Sequence, residues 1–199
     1  MSIPRTPMNA AEPNAHPPRP QWDRVTKSAV ISDDGLYRYL LTRTWGDAAG
    51  PLVVWIMLNP STADADVDDP TIRRCIRFSR ERGFARLSVV NLFALRATNP
   101  KALMSAKDPV GPENYDYVRE AVQMASLVVA AWGAGLVATG HYPPPDDWWA
   151  ENVECPLVCL GRTKDGHPRH PLYVSNSTPF MWTRPDGRLP FIPEEGDRA

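Results

Sequence analysis

The sequence predicts an α/β domain: a three-layer sandwich around a mostly parallel, four-stranded central sheet, preceded by a β-hairpin. Three observations predict it. Pro51–Leu58 is an unbroken apolar run of strand length, the pattern of a strand buried on both faces in a parallel sheet. Strand-like and helix-like segments then alternate, as parallel strands joined by right-handed crossovers require. Apolar residues at 43% and charged residues at 23% of 199 residues give ordinary globular composition, with enough chain for a sizeable core.

The elements follow in order. Ser28–Ile31 and Leu36–Trp45 flank Asp33-Asp34-Gly35, whose Asp-Gly pair supplies a hairpin turn. The Pro51–Leu58 strand ends at Asn59-Pro60-Ser61-Thr62 and an acidic loop, Asp64 to Asp69. A helix starts at Pro70, a residue suited to the first helical position, with Asp68 or Asp69 as cap. Ile72, Ile76, Ser79 and Gly83 share one of its faces, and Gly83 is a natural stop. Arg86–Val90 is the next strand and ends at Asn91-Leu92-Phe93. A second helix spans about Glu113 to Ala125, with Val118, Ala121, Val122 and Ala125 inward. Leu127–Trp132 is the third strand, running into Gly133-Ala134-Gly135, and Pro156–Leu160 is the fourth.

Many of the 22 prolines are clustered. Residues 1–21 hold six of them and few large apolar groups, so they are expected to be a disordered tail. Residues 22–182 form the single folded domain and 183–199 a flexible C-terminal tail. A net charge of −1 gives no global attraction to nucleic acid or membrane, so such binding needs a local patch. Three cysteines, no secretory leader and no apolar run of membrane-span length point to a cytoplasmic protein with reduced thiols and no membrane contact. The oligomeric state is not set by the sequence.

Ligands of open α/β sheets bind outside the carboxyl ends of the strands. Here those ends carry Asn59-Pro60-Ser61-Thr62, Asn91, Gly133 and Gly135, and beyond the last strand His170-Pro171. Amides present both donor and acceptor, so two of them beside a histidine suit the edge of a planar heterocycle. Each amide taken singly is as readily explained as a turn cap. The helix after the acidic loop carries Arg73, Arg77 and Arg80 on one stripe with Arg74 beside it, and Glu81 alone balances them within that helix. That is a candidate phosphate-binding face, or simply a solvated one.

Leu58–Asp64, Asp69–Arg74, Val90–Ala94 and Arg96–Thr98, with the later Ala131–Gly133, Leu160-Gly161 and His170–Tyr173, resemble the bacterial and phage family called domain of unknown function 1643. The resemblance runs from about Ser28 to Tyr173 and implies no established activity. More distantly, the layout is similar to the uracil-DNA glycosylase superfamily, especially its mismatch-specific branch. That likeness implies a water positioned by Asn59-Pro60, a base read by Asn91-Leu92 with Arg96-Ala97-Thr98 following, and a leaving base contacted by His170-Pro171. Leu172 stands where that pattern has serine, no glycine precedes Asn59-Pro60, and Asp69-Pro70-Thr71 replaces the base-stacking Pro-Phe.

The chemistry is coherent. Breaking an N-glycosidic bond builds positive charge on the sugar and negative charge on the base. Asn59 is a weak base but can hold a water against the anomeric carbon, and a neutral, donating His170 can stabilise the departing base. Asn91 would read the base, and Phe93 would stack on it or lie in the core.

Other signals are discounted. Asp64, Asp66 and Asp68 imitate a calcium loop, but Asp69 occupies its glycine position and Cys75 its glutamate position. Cys155 and Cys159 lie roughly 13 Å apart along a strand at about 3.3 Å per residue, too far for one zinc ion. Gly133-x-Gly135-x-x-Ala138 lacks the long helix of a dinucleotide site, since His141 and Pro143-Pro144-Pro145 interrupt it. Trp148 and Trp149 could serve as a lid, a stacking edge or a plug. No cofactor and no metal site is expected. Three functions follow: an N-glycosidase acting on a nucleobase in nucleic acid or nucleotide, a non-catalytic nucleic-acid or nucleotide-binding module on the same fold, and a metal-assisted small-molecule enzyme using the acidic loop.

Overall fold

The computed structural model describes residues 25–99, 101–135 and 151–183. The expected tails before residue 25 and after residue 183, and Trp148 and Trp149, lie outside the described residues. Seven strands form one mixed sheet: β1 (Thr26–Ile31), β2 (Arg38–Thr44), β3 (Leu52–Met57), β4 (Arg86–Asn91), β5 (Leu127–Ala130), β6 (Leu157–Cys159) and β7 (Met181–Trp182). Their order is β1-β2-β4-β3-β5-β6-β7. Three α-helices lie wholly among the described residues: α1 (Pro70–Arg80), α2 (Ala102–Ser105) and α3 (Asn114–Gln123).

The expectation of a four-stranded sheet with a separate hairpin needs correction. β4, β3, β5 and β6 pair in parallel, but the hairpin continues the same sheet, β2 running antiparallel to β4. β7 closes the other edge against β6. The physical reason is the edge: a parallel strand left at a margin exposes a row of unpaired N–H and C=O groups, and a neighbouring hairpin satisfies them. β7 and α2 are too short to leave a periodic signal in the sequence.

All six residues of β3 are buried, as a strand with helices over both faces requires. On one face Val53, Trp55 and Met57 pack with Ile72, Cys75 and Phe78 of α1. On the other, Val54 and Ile56 pack with Leu103 of α2 and Val118, Ala121 and Val122 of α3. The α1 face is therefore turned slightly from the expected one: Cys75 and Phe78 are buried, and Ile76 is half-buried. Asp69 is the cap, its carboxylate accepting the Ile72 N–H at 2.8 Å.

The acidic loop is docked on the hairpin by Arg43, which is 0% exposed. Its Nε reaches Asp68 at 2.7 Å, its Nη2 the Asp64 carbonyl at 2.7 Å, and its Nη1 the Thr42 and Ser28 carbonyls at 2.7 and 3.3 Å. Lys27 joins Asp68 at 3.1 Å, and Asp64 accepts the Asp66 and Val67 amides. A buried guanidinium that loses its carboxylate keeps its desolvation penalty. Asp68→Ala is therefore expected to lower unfolding stability by about 3 kcal/mol, read as a lower urea midpoint at unchanged slope. A change under about 0.5 kcal/mol, the size typical of a surface substitution, would show that the pair holds nothing together.

Candidate functional site

The chain leaves β3 through α1 to β4 on one side, and comes back through α3 to β5 on the other side of β3, over the opposite face. In such sheets that switch point opens a crevice at the carboxyl ends of the two strands. The register aligns the rim. Ile56 pairs with Ala130 and Met57 with Asn91, so Asn59 and Gly133, each three residues beyond a paired position, reach the same level. A cleft of about 680 Å³ lies there, within the roughly 300–1,000 Å³ usual for small-molecule sites. Asn59 and Ser61 line it from β3, Asn91 from β4, Trp132, Gly133 and Gly135 from β5, and His170 and Tyr173 from the segment after β6. Arg38, Asp69 and Arg169 also line it.

Asn59 has a fixed amide. Its Nδ2 donates to the Ala97 carbonyl at 2.7 Å and the Pro60 carbonyl at 3.0 Å, and among the described residues no donor reaches its Oδ1. Asn91 is different. It is 1% exposed, and neither its Oδ1 nor its Nδ2 has a partner among the described residues. Its position is held from behind by Asn114, whose Nδ2 donates to the Asn91 and Leu92 carbonyls at 3.0 and 3.1 Å. Buried amides are normally satisfied, and this one lines the cleft with both bonding atoms unmatched among the described residues.

Gly133 has φ 74°, and a Cβ there would stand 3.3 Å from the His170 Cβ; at Gly135 it would stand 2.8 Å from Leu58 Cδ2. The two glycines thus let the β5 loop lie against both rims. His170 caps a 3-10 turn (Pro171–Tyr173), its Nδ1 accepting the Leu172 N–H at 3.3 Å. That bond leaves the ring proton on Nε2. Burial pulls the imidazole down to about 4, with Asp69 opposing, so the ring is a neutral donor at physiological pH. Arg38 is 3% exposed, and burial pulls its guanidinium down to about 10, Asp69 again opposing.

The remaining sequence-predicted residues fall outside the cleft. Pro60 and Phe93 are buried, Phe93 in the core on the α3 side, and Thr62 is exposed. Arg96 donates to the Gly35 carbonyl at 3.1 Å. The α1 arginines divide. Arg73 bonds the Asp68 carbonyl, Arg77 pairs with Glu81 at 2.7 Å, and Arg80 lies over the Trp45 ring. Arg74 turns to the Pro171 and Val174 carbonyls, while Arg82 reaches the Thr178 carbonyl and the Phe180 ring. Those two hold the segment that delivers His170. Among the described residues no group of three His, Cys, Asp or Glu side chains could hold a metal ion, and no helix is long and apolar enough to cross a membrane. Sequence reasoning missed Arg38, Asn114, Asp69 as a cleft residue, and Trp132 and Tyr173 as its aromatic lining. Only Asp69 and Trp132, beside recognised motifs, carried a signal that could have found them.

The model of the family described as Protein of unknown function (DUF1643) matches residues 38–172. The chain belongs to that family. The matched span begins at Arg38 and contains every cleft residue named above except Tyr173. No curated protein and no solved structure matches this DUF1643 chain.

The buried histidines make a pH prediction. Burial lowers both His170 and His167, so the folded state resists protonation while the unfolded chain takes up protons at about pH 6.5. Their contribution is present above about pH 6.5 and is lost as pH falls below it, for His170 towards about 4. His170→Gln should therefore lose less stability than wild type between pH 7 and 5 in urea titrations. An imidazole titrating near 6.5 by NMR would contradict the burial.

Proposed function

We propose that the cleft binds a planar nucleobase and hydrolyses its N-glycosidic bond, in a nucleotide or in nucleic acid. The observation that carries this reading is the orphaned, buried amide of Asn91: one acceptor and one donor side by side suit the edge of a heterocycle. Tyr173, exposed and lining the cleft, supplies the aromatic surface that Phe93, in the core, does not.

In the proposed reaction water attacks the anomeric carbon as the bond to the base nitrogen breaks, and the electron pair of that bond leaves with the base. Asn59 accepts a hydrogen bond from the water through Oδ1, its Nδ2 being held by two carbonyls. His170 donates its Nε2–H to the base as negative charge develops, and the neutral ring needs no second proton to do so. Asp69, the one carboxylate lining the cleft among the described residues, receives the water proton. The more distant likeness to the uracil-DNA glycosylase superfamily, carried by Asn59-Pro60, Asn91-Leu92 and His170-Pro171, points to the same chemistry.

A second reading keeps the ligand and drops the reaction. The exposed Arg73, Arg77 and Arg80 would then meet the backbone of a nucleic acid held without turnover.

Base release is the measurement: nucleosides, nucleotides and oligonucleotides carrying uracil, hypoxanthine, xanthine or a G·T mismatch, followed by chromatography and by cleavage at abasic sites. Asn59→Ala should lower turnover by about 100-fold or more with binding retained, the scale of losing a group that orients a reactant. Asn91→Ala should weaken binding itself. Binding without release on every substrate would leave the binding module, and absence of both would end the nucleobase reading. Asp69→Asn keeps a capping side chain and removes the proton acceptor, so it should slow release while leaving thermal stability within about 1 kcal/mol of wild type.

A further inference from the structure

The cleft holds a second orphan. Arg38 and Arg43 are both buried arginines of β2, yet their surroundings differ. Every nitrogen of Arg43 is engaged, with Asp68 as its carboxylate. Arg38 donates through Nη1 to the Ala63 carbonyl at 2.7 Å. Its Nε is buried without an acceptor among the described residues, and its side chain makes no other bond to a described residue. Asp69 and Asp64 act on it only at longer range, for neither forms an ion pair with it. An arginine buried without a carboxylate is costly unless something supplies the missing charge.

The unoccupied edge has a shape. With Nη1 committed, Nε and Nη2 remain as the side-on fork that binds two oxygens of one carboxylate or phosphate. Arg38 is 3% exposed, so a group reaching the fork must enter the cleft rather than pass across its mouth. A terminal, doubly ionised phosphate can do this. A phosphodiester flanked by two nucleotides would have to bring its chain in on both sides.

We propose that Arg38 is an anion-recognition residue of the cleft, taking the terminal phosphate of a mononucleotide whose base lies against Asn91. The proposal rests on the nucleobase reading for the identity of the ligand, but the fork itself does not depend on it. Arg169, which also lines the cleft and whose Nε is tied to the Arg162 carbonyl, adds positive charge near the opening. The ligand class is thus narrowed from any nucleobase-containing molecule to a nucleoside phosphomonoester.

The test needs no variant at its first step. Calorimetric titration of the full chain would compare adenosine, guanosine, cytidine, uridine and thymidine with their 5′-monophosphates. At least one monophosphate should bind about tenfold or more tightly than its nucleoside, the scale of a charge-assisted fork. Arg38→Lys retains the charge and loses the fork, and should abolish the difference between each nucleoside and its monophosphate. Ribose 5-phosphate and inorganic phosphate serve as probes without a base. Protection by these against thermal unfolding, lost in Arg38→Lys, would uphold the phosphate fork even if every nucleoside failed and the nucleobase reading fell. Nucleosides binding as tightly as their monophosphates would overturn the fork and leave the nucleobase reading standing. A dinucleotide lacking terminal phosphates that binds as well as the best monophosphate would overturn the terminal-phosphate assignment. If Arg38→Lys is unfolded by near-ultraviolet circular dichroism, the wild-type comparison alone decides.

Discussion

Burial of β3 on both faces is the constraint from which the site follows. A strand whose six residues all face protein must have a helix over each surface and a strand on each side. Its two neighbours, β4 and β5, are reached through helices on opposite faces. That arrangement obliges the connections to part at the end of β3, and the gap between them is the cleft. Its polar lining belongs to the residues that happen to follow the strands, at a level set by backbone register.

Around that gap the protein leaves polar groups in two distinct conditions. Arg43, Asp64 and Asp68 are buried or half-buried and engaged, and they fasten the acidic loop to the hairpin. Arg38 and Asn91 are just as buried and hold back their bonding edges. Desolvating an amide and a guanidinium without partners opposes folding. The apolar layers on both faces of the sheet offset that cost, which a bound ligand would relieve. The contrast between two arginines on one strand is one of bonding: every nitrogen of Arg43 is engaged, whereas Nε of Arg38 is not.

The arginines of α1 and of the turn that follows it illustrate why composition along the chain is a poor guide to a residue's task. Five guanidiniums within ten residues look like a surface for phosphates. Arg74 and Arg82 instead grip the backbone of 171–178 and the Phe180 ring, so they act on the cleft indirectly, by fixing the segment that carries His170. Arg73, Arg77 and Arg80 remain exposed, each with a near neighbour of its own.

The sequence by itself determined the layers and the rim. Apolar runs marked β3, β5 and β6, Asp69-Pro70 marked the start of α1, and the asparagines, glycines and histidine that follow the strands marked residues that line the cleft. These are local signals, because burial on both faces and helix capping act through residues adjacent in the chain. Only the tertiary structure decided that the hairpin joins the sheet, that Phe93 belongs to the core, and that Arg38 lines the same cleft as Asn91. Those outcomes depend on which strand edge needs a partner and which loop carbonyl lies opposite a side chain 25 residues away. Such meetings are made by packing across the sheet, and a linear pattern of residue types does not encode them.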